Sequence, residues 1–383
     1  MNKVYVSYNN IVSALGFTSE FVVENIQNEI SGLERIHDES ILPNPFYSAL
    51  ISSEKLEEEF QKLDPKGAFT RLEKMMITSL HSVISDSKIE FNDRVGLIIS
   101  TTKGNVDALD SENPFPPERA YLATLGNTIR DFFDFKNDAI IISNACVSGI
   151  LAIAVAKRFI QQDTYDHVFV VSGDVVSPFI LSGFNSFQAL SGELCKPYDE
   201  NRTGINIGEV SATALVTNST NHLAPESVEI AGESSCNDAN HISGPSRTGE
   251  GLYRSIQLAL KQAKLKPSEI DYISAHGTAT AFNDEMEAIA FNRSELQNVP
   301  LNSLKGYFGH TLGASGLLET IIGMHSLFNN TLYTSKGFET LGVSQPLNII
   351  KSTQKNKSLH TFLKTASGFG GCNTAVIFKK NTL

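Results

Sequence analysis

No stretch of this chain reaches the roughly 20 consecutive apolar residues that cross a bilayer as a helix. The most apolar segment, residues 139–156, is broken by Ser143, Asn144 and Ser148 and followed at once by Lys157 and Arg158. The first ten residues carry no apolar signal core. A basic surplus is missing as well: 31 Lys and Arg face 42 Asp and Glu, a net charge of −11. That excludes a domain-wide nucleic-acid footprint, though not a small basic patch for an acidic partner. Cysteines are few. Cys146, Cys195, Cys236 and Cys372 are far apart and form no C-x-x-C pair, so neither a disulfide framework nor a zinc site is expected. Together these absences predict a cytoplasmic protein with no membrane span, no nucleic-acid partner and no metal.

What is present is globular. Hydrophobic residues make up 41% and charged residues 19% of 383 positions, enough for a substantial core in two domains or one duplicated unit. Apolar β-branched runs at 95–100, 139–143, 167–172 and 270–274 read as strands. Apolar residues at helical spacing recur at Leu72, Met75, Met76, Leu80, Val83 and Ile84, and again at Leu252, Ile256, Leu260 and Ala263. Strands alternating with helices predict α/β layers. The polar stretch 217–226, with Pro225, marks the expected boundary between a half spanning residues 1–220 and a half spanning 221–383. A hint of duplication joins them. A strand, a reactive residue, small residues and an apolar helix follow one another around Cys146, and the same order recurs around His310.

The run 139–149 reads as a strand turning sharply into a helix that continues through 150–156. Cys146 is then at a helix N-terminus, where the dipole and free N–H groups favour a thiolate and a developing oxyanion. Taken alone, a cysteine in this setting is more often a small buried apolar residue. Of nine histidines, His37, His81, His167, His222, His325 and His360 carry no local signal. His276 differs: it follows a strand and is flanked by Gly277, Thr278 and Thr280, where loops carry chemistry. The threonines suit an amide-rich substrate arm, or simple turn capping. His310 sits in a glycine-rich bend before a helix, with Lys305 upstream; a neutral imidazole there can donate to an enolate oxygen.

The three signals converge on a resemblance. Asn144 to Gly149, Ala275 to Thr280 with Asp284 and Glu287, and Gly309 to Gly316 with Lys305 and Glu319 resemble the nucleophile, first-histidine and second-histidine segments of the β-ketoacyl-acyl-carrier-protein synthases, the Cys-His-His branch. Lys196 to Asp199 with Arg202, Gly204, Gly208 and Glu209, then Asp238 to His241 with Pro245, then Gly368 to Asn373, match further segments in family order, while the first 90 residues match loosely. The resemblance implies a thiolase-like α-β-α-β-α fold of two similar halves, usually dimeric. It implies that Cys146 takes an acyl chain from the phosphopantetheine of an acyl carrier protein, that His276 and His310 hold the enolate from malonyl-carrier, and that Lys305 tunes the field. It implies an oxyanion hole of the Cys146 and Phe369 amides, pantetheine contacts from Thr278 and Thr280, an acyl pocket with Phe184 and a Phe369 gate, and no metal or redox cofactor. His241 is family-typical and not catalytic. Arg71 and Lys74 are candidate carrier contacts, or ordinary solvated helix charges.

Three positions depart from the pattern. Ser367 stands where an aromatic is common, Val210 where glycine is usual, and Gln188 where many members carry a basic residue. These departures, with a chain somewhat shorter than elongation members, suggest specialised polyene- or pigment-type synthesis rather than housekeeping fatty acid synthesis. The competing expectations are a non-catalytic or partner-dependent subunit of a ketosynthase heterodimer, a coenzyme A thiolase, a decarboxylase without condensation, and a plain α/β binding module. Retention of Cys146, His276, His310 and Lys305 argues against a non-catalytic subunit. Cys372 is read as a small-residue substitution, not a second thiolase cysteine.

Overall fold

The computed structural model describes residues 3–39, 42–221, 223–238 and 244–381; His222 and the Ala239–His241 stretch lie outside them. In the first half, β1 (Tyr5–Ser13), α1 (Ser19–Gln27), β2 (Glu34–Ile36), β3 (Phe46–Ala49), α2 (Ser53–Gln61), α3 (Arg71–Ser87), β4 (Val95–Ser100), α4 (Leu122–Phe133), β5 (Ile140–Ile142), α5 (Ser148–Gln161), β6 (His167–Asp174), α6 (Pro178–Ser186), β7 (Ile207–Gly208) and β8 (Val210–Thr217) follow one another. The second half runs β9 (Val228–Asn237), α7 (Glu250–Ala263), β10 (Tyr272–Ser274), α8 (Ala281–Arg293), β11 (Pro300–Asn302), α9 (Lys305–Phe308), α10 (Ser315–Asn329), β12 (Asn348–Ile349), β13 (Thr361–Gly368) and β14 (Cys372–Lys380). Among the described residues no helix is long and apolar enough to cross a membrane.

The pairing exposes the duplication. The first half orders its main strands β1-β8-β6-β4-β5 and the second orders its own β9-β14-β13-β10-β11, with β12 added outside. The directions agree too: among the first three strands of each set every neighbouring pair is antiparallel, and the strands beyond them run parallel to the third. Among the described residues the two sets are joined where Tyr5 and Val6 of β1 pair with Glu229 and Val228 of β9. A join of two residues lets the second set turn back over the first. The loop between β8 and β9 carries the polar stretch 218–227.

Side-chain alternation then makes layers. In β4 and β6, Leu97, Ile99, Phe169 and Val171 pack under Leu72, Met76, Leu80 and Val83 of α3. The alternate residues Ile98, Val168 and Val170 face Ile150 and Ile153 of α5 and Leu317 and Ile321 of α10. On the far side, Ile273, Leu363 and Ile377 face Leu252 and Ile256 of α7 and Phe291 of α8. The result is five layers, α-β-α-β-α, with α5 and α10 between the sheets. Strands covered on both faces explain the unbroken apolar runs. The 139–143 run is an exception in degree: only Ile140–Ile142 form a strand, half-buried, because β5 is the outermost strand of its set.

Two glycines fix how α5 and α10 meet. A Cβ on Gly149 would lie 2.7 Å from the Gly313 carbonyl and 2.8 Å from the Leu317 nitrogen; one on Gly316 would lie 2.5 Å from the Ile150 nitrogen. Each helix start is pressed against the other, which brings the turns that precede them to one place.

Candidate active site

The turn before α5 is built by local bonds. The Ser148 hydroxyl accepts from the Asn144 amide at 2.8 Å and donates to the Ala145 carbonyl at 2.6 Å. Ala145 has φ +45°, a left-handed conformation unusual outside glycine. This sharp turn sets Cys146 two residues ahead of α5. The sequence predicts an activated thiolate there. In the folded chain burial outweighs that effect and pushes the thiol up to about 11, opposed by Lys305 and by the Phe369 amide directed at the sulfur.

His276 follows β10. Its backbone N–H donates to Glu287 at 3.0 Å, as does that of Gly277 at 2.7 Å, and the Tyr198 hydroxyl donates to the same carboxylate at 2.9 Å. Asp284 accepts from the Thr278 and Tyr198 amides. Burial raises both acids, Asp284 to about 6. His310 is held from the other side: its amide donates to the Asn206 carbonyl at 2.6 Å, and its Nδ1 accepts from the Leu312 amide at 3.0 Å. Asp174, at the end of β6, accepts from Gly313 N–H at 2.8 Å and from Thr101 and Thr102, tying the His310 turn to the first half.

Burial first, then the Lys305 charge, holds both imidazoles well below the usual histidine range. Both are therefore neutral at pH 7. With Nδ1 of His310 accepting a backbone hydrogen, its proton lies on Nε2, so the free nitrogen is a donor. The Cys146 sulfur and one nitrogen of each histidine lie within 4.8 Å of one another, all buried. The two rings stand edge to face, centroids 5.2 Å apart. Three such atoms also match the ligand types of a soft metal ion; a protonated Nε2 on His310 does not suit that role. Beneath the histidines, Glu319 pairs with Lys305 at 2.9 Å and Lys364 at 2.6 Å, all three buried.

Cys146, His276 and His310 open onto a cavity of about 490 Å³, lined also by Thr278, Thr280, Phe184, Phe187, Gln188, Ser367 and Phe369. That volume suits a small-molecule chain. Phe369 contacts Phe184 (centroids 5.7 Å) and Phe187 (5.4 Å) at the mouth.

Residues 23–222 match the beta-ketoacyl synthase N-terminal domain model and residues 228–339 the C-terminal one. The chain belongs to the β-ketoacyl synthase family. It is 28% identical over 325 residues to 3-oxoacyl-[acyl-carrier-protein] synthase 2 of Coxiella burnetii, covering 77% of this chain and 78% of that protein. It is 31% identical over 258 residues to the enzyme of the same name from Rhizobium meliloti, covering 63% and 60%. The chain spans 60–64% of the length of the first curated relatives it matches. Among solved structures, a ketosynthase from Xenorhabdus doucetiae in complex with its chain length factor superposes with a TM-score of 0.87 over 99% of this chain and 98% of that one, at 24% identity. The ishigamide ketosynthase/chain length factor superposes with a TM-score of 0.89 over the whole of both chains, at 20% identity. Likeness at that identity shows the thiolase-like fold.

Within this β-ketoacyl synthase scaffold, Cys146, His276, His310, Phe184, Phe369, Thr278 and Thr280 come together at one cavity. The two threonine hydroxyls bond each other at 2.8 Å, and Thr280 makes no side-chain cap to α8. Lys305 lies behind His276, not in the lining. Arg71 and Lys74 are elsewhere, each engaged by an acid: the Arg71 guanidinium grips buried Glu209 and the Ile51 carbonyl, and Lys74 pairs with Glu57 at 2.5 Å. Neither offers an unpaired cation to an acidic carrier. Val210 opens β8 and is buried. The Ser367 hydroxyl donates to Asn373 Oδ1 at 2.8 Å, and the Cys372 thiol donates to Asn144 Oδ1 at 2.9 Å, linking the Phe369 loop to the nucleophile turn. The sequence reading missed Asp174 and Lys364. Each is a charge closing or interrupting an apolar strand, and that interruption was the available signal.

Proposed function

We propose that the chain is a β-ketoacyl-acyl-carrier-protein synthase catalysing decarboxylative Claisen condensation. The observation that carries this reading is the gathering of one thiol and two neutral imidazoles within 4.8 Å at the floor of an aromatic-gated cavity. The Cys146 sulfur attacks the acyl thioester on the carrier's phosphopantetheine; the thiol proton leaves with the carrier thiol. Malonyl-carrier then enters, its arm hydrogen-bonded by Thr278 and Thr280. Loss of carbon dioxide leaves a thioester enolate, whose oxygen accepts from His276 and His310. The enolate carbon attacks the acyl-Cys146 carbonyl, the oxyanion rests on the Cys146 and Phe369 amides, and collapse releases the Cys146 sulfur and the β-ketoacyl-carrier. Decarboxylation itself makes the carbanion, so the reaction calls for no strong base, metal or redox cofactor.

The partners proposed are an acyl carrier protein and a second subunit, identical or not, in the cytoplasm. A partner-dependent form is supported by the two structural relatives above, each a ketosynthase paired with a chain length factor.

The test is intact mass spectrometry of the purified chain with acyl- and malonyl-carrier proteins, beside Cys146→Ala. Acylation at Cys146 followed by a β-ketoacyl product is expected, with at least about 10³-fold loss in the variant. No acylation with any primer, alone or with a supplied partner subunit, overturns the reading.

A further inference from the structure

Lys364 lies within β13, the strand beside β10, and is fully buried between the core residues Leu363 and Ala366. Lysine is among the residue types least often found there. Its ammonium donates to the Ser274 carbonyl at 3.1 Å, the Ala275 carbonyl at 3.4 Å and the Thr365 carbonyl at 2.6 Å, and lies 2.6 Å from Glu319. Lys305 donates to the next carbonyl, that of His276, at 2.6 Å and pairs with the other Glu319 oxygen. Three consecutive carbonyls, ending at His276, are thus each held by a lysine. One carboxylate holds both lysines.

A single lysine suffices to neutralise Glu319. The second adds a fixed positive charge under the imidazoles. Facing His276 are the acids Glu287 and Asp284 from α8 and Glu319 from α10, the cations Lys305 from α9 and Lys364 from β13, and His310 and Cys146 across the cavity. The acids favour an imidazolium and the lysines oppose it. An imidazolium there would pair with the malonyl carboxylate and stabilise the ground state against loss of carbon dioxide.

We propose that Lys364 is a positioning residue for the enolate-forming step: it clamps the end of β10 that delivers His276, and its charge keeps that imidazole a neutral donor. This rests on the condensing reading above. Burial lowers the Lys364 amine while Glu319 supports its charge, and burial, Lys305, His310 and Lys364 in that order depress His276.

The experiment compares the full chain with Lys364→Met and Lys364→Gln. In both variants malonyl-carrier decarboxylation is expected to lose at least about tenfold in kcat with KM changed less than about threefold, and its acid limb to move up by about one pH unit, because removing a cation eases imidazole protonation. Glutamine, still able to donate to the Ser274 carbonyl, recovers part of kcat and none of the limb shift. Cys146 alkylation stays at the wild-type rate. Wild-type kcat with an unmoved limb in either folded variant overturns the proposal. So does a neutral Lys364 amine at pH 7 in nitrogen-detected NMR of the wild-type chain, a readout needing no variant. If the wild type neither decarboxylates nor condenses, the functional reading fails; the His276 titration by NMR, expected to rise in the variants, still decides the role of Lys364.

Discussion

The two halves share a strand order and strand directions, yet their equivalent turns do different things. Ala145 and Leu312 each stand three residues before a central helix and each adopt positive φ, +45° and +53°. Past that point the first half supplies a thiol, while the second holds a histidine just before its turn. Their surroundings diverge further. Cys146 is buried with Asp174 as its nearby acid. The histidines rest over Lys305, Lys364, Glu319, Glu287 and Asp284. A duplicated frame can therefore hold two chemistries apart by what charge is buried under each turn. On the proposed mechanism, one half forms the covalent bond and the other makes and holds the carbanion.

That division can be broken experimentally. His310→Ala should leave Cys146 acylation within a few-fold of wild type and reduce condensation by about 10²–10⁴-fold, measured by intact mass and product formation. Equal loss of both steps would merge the halves functionally. The pH dependence sharpens the contrast. Since burial pushes the Cys146 thiol up to about 11, its alkylation should climb about tenfold per pH unit between pH 7 and 10. Malonyl decarboxylation should stay level as pH falls through the usual histidine range, because both imidazoles are depressed below it. A thiol titrating near its ordinary value would erase the difference in environment. The smallest effect concerns the frame itself. Gly316→Val drives a side chain into Ile150 and should cost about 1–3 kcal/mol, whereas Gly183→Ala, with open space around it, should shift stability by less than about 0.5 kcal/mol in denaturant titrations.

Much of this was legible beforehand. The run 95–100 is β4, and the periodic residues from Leu72 and from Leu252 define the buried faces of α3 and α7. Local patterns suffice there because each strand or helix buries what its own period dictates. The recurrence of strand, small residues and helix around Cys146 and His310 showed the duplication, since short-range order repeats. What escaped depends on contacts far apart in sequence. Lys364 meets carbonyls some 90 positions away, and Asp174 reaches Gly313 across 139. Nothing near Arg71 reveals that Glu209 will occupy it. The extra strand β12 is two residues long and has no pattern of its own. The burial of the Cys146 thiol was out of reach for a similar reason: the helix start is local, while His276, His310 and Phe369 arrive from far along the chain.

The opposed glycines at 149 and 316 have a bearing on synthesis. Since the start of α5 packs against the start of α10, the first half leaves the ribosome before the helix that braces its cysteine turn exists. At translation rates of 5–20 residues per second, on the order of ten seconds or more separate Cys146 from the Phe369 loop that covers it. For the first part of that interval neither His276 nor His310 has yet been made. The site is complete only when β13 and β14 bring the Phe369 loop to a cysteine made long before.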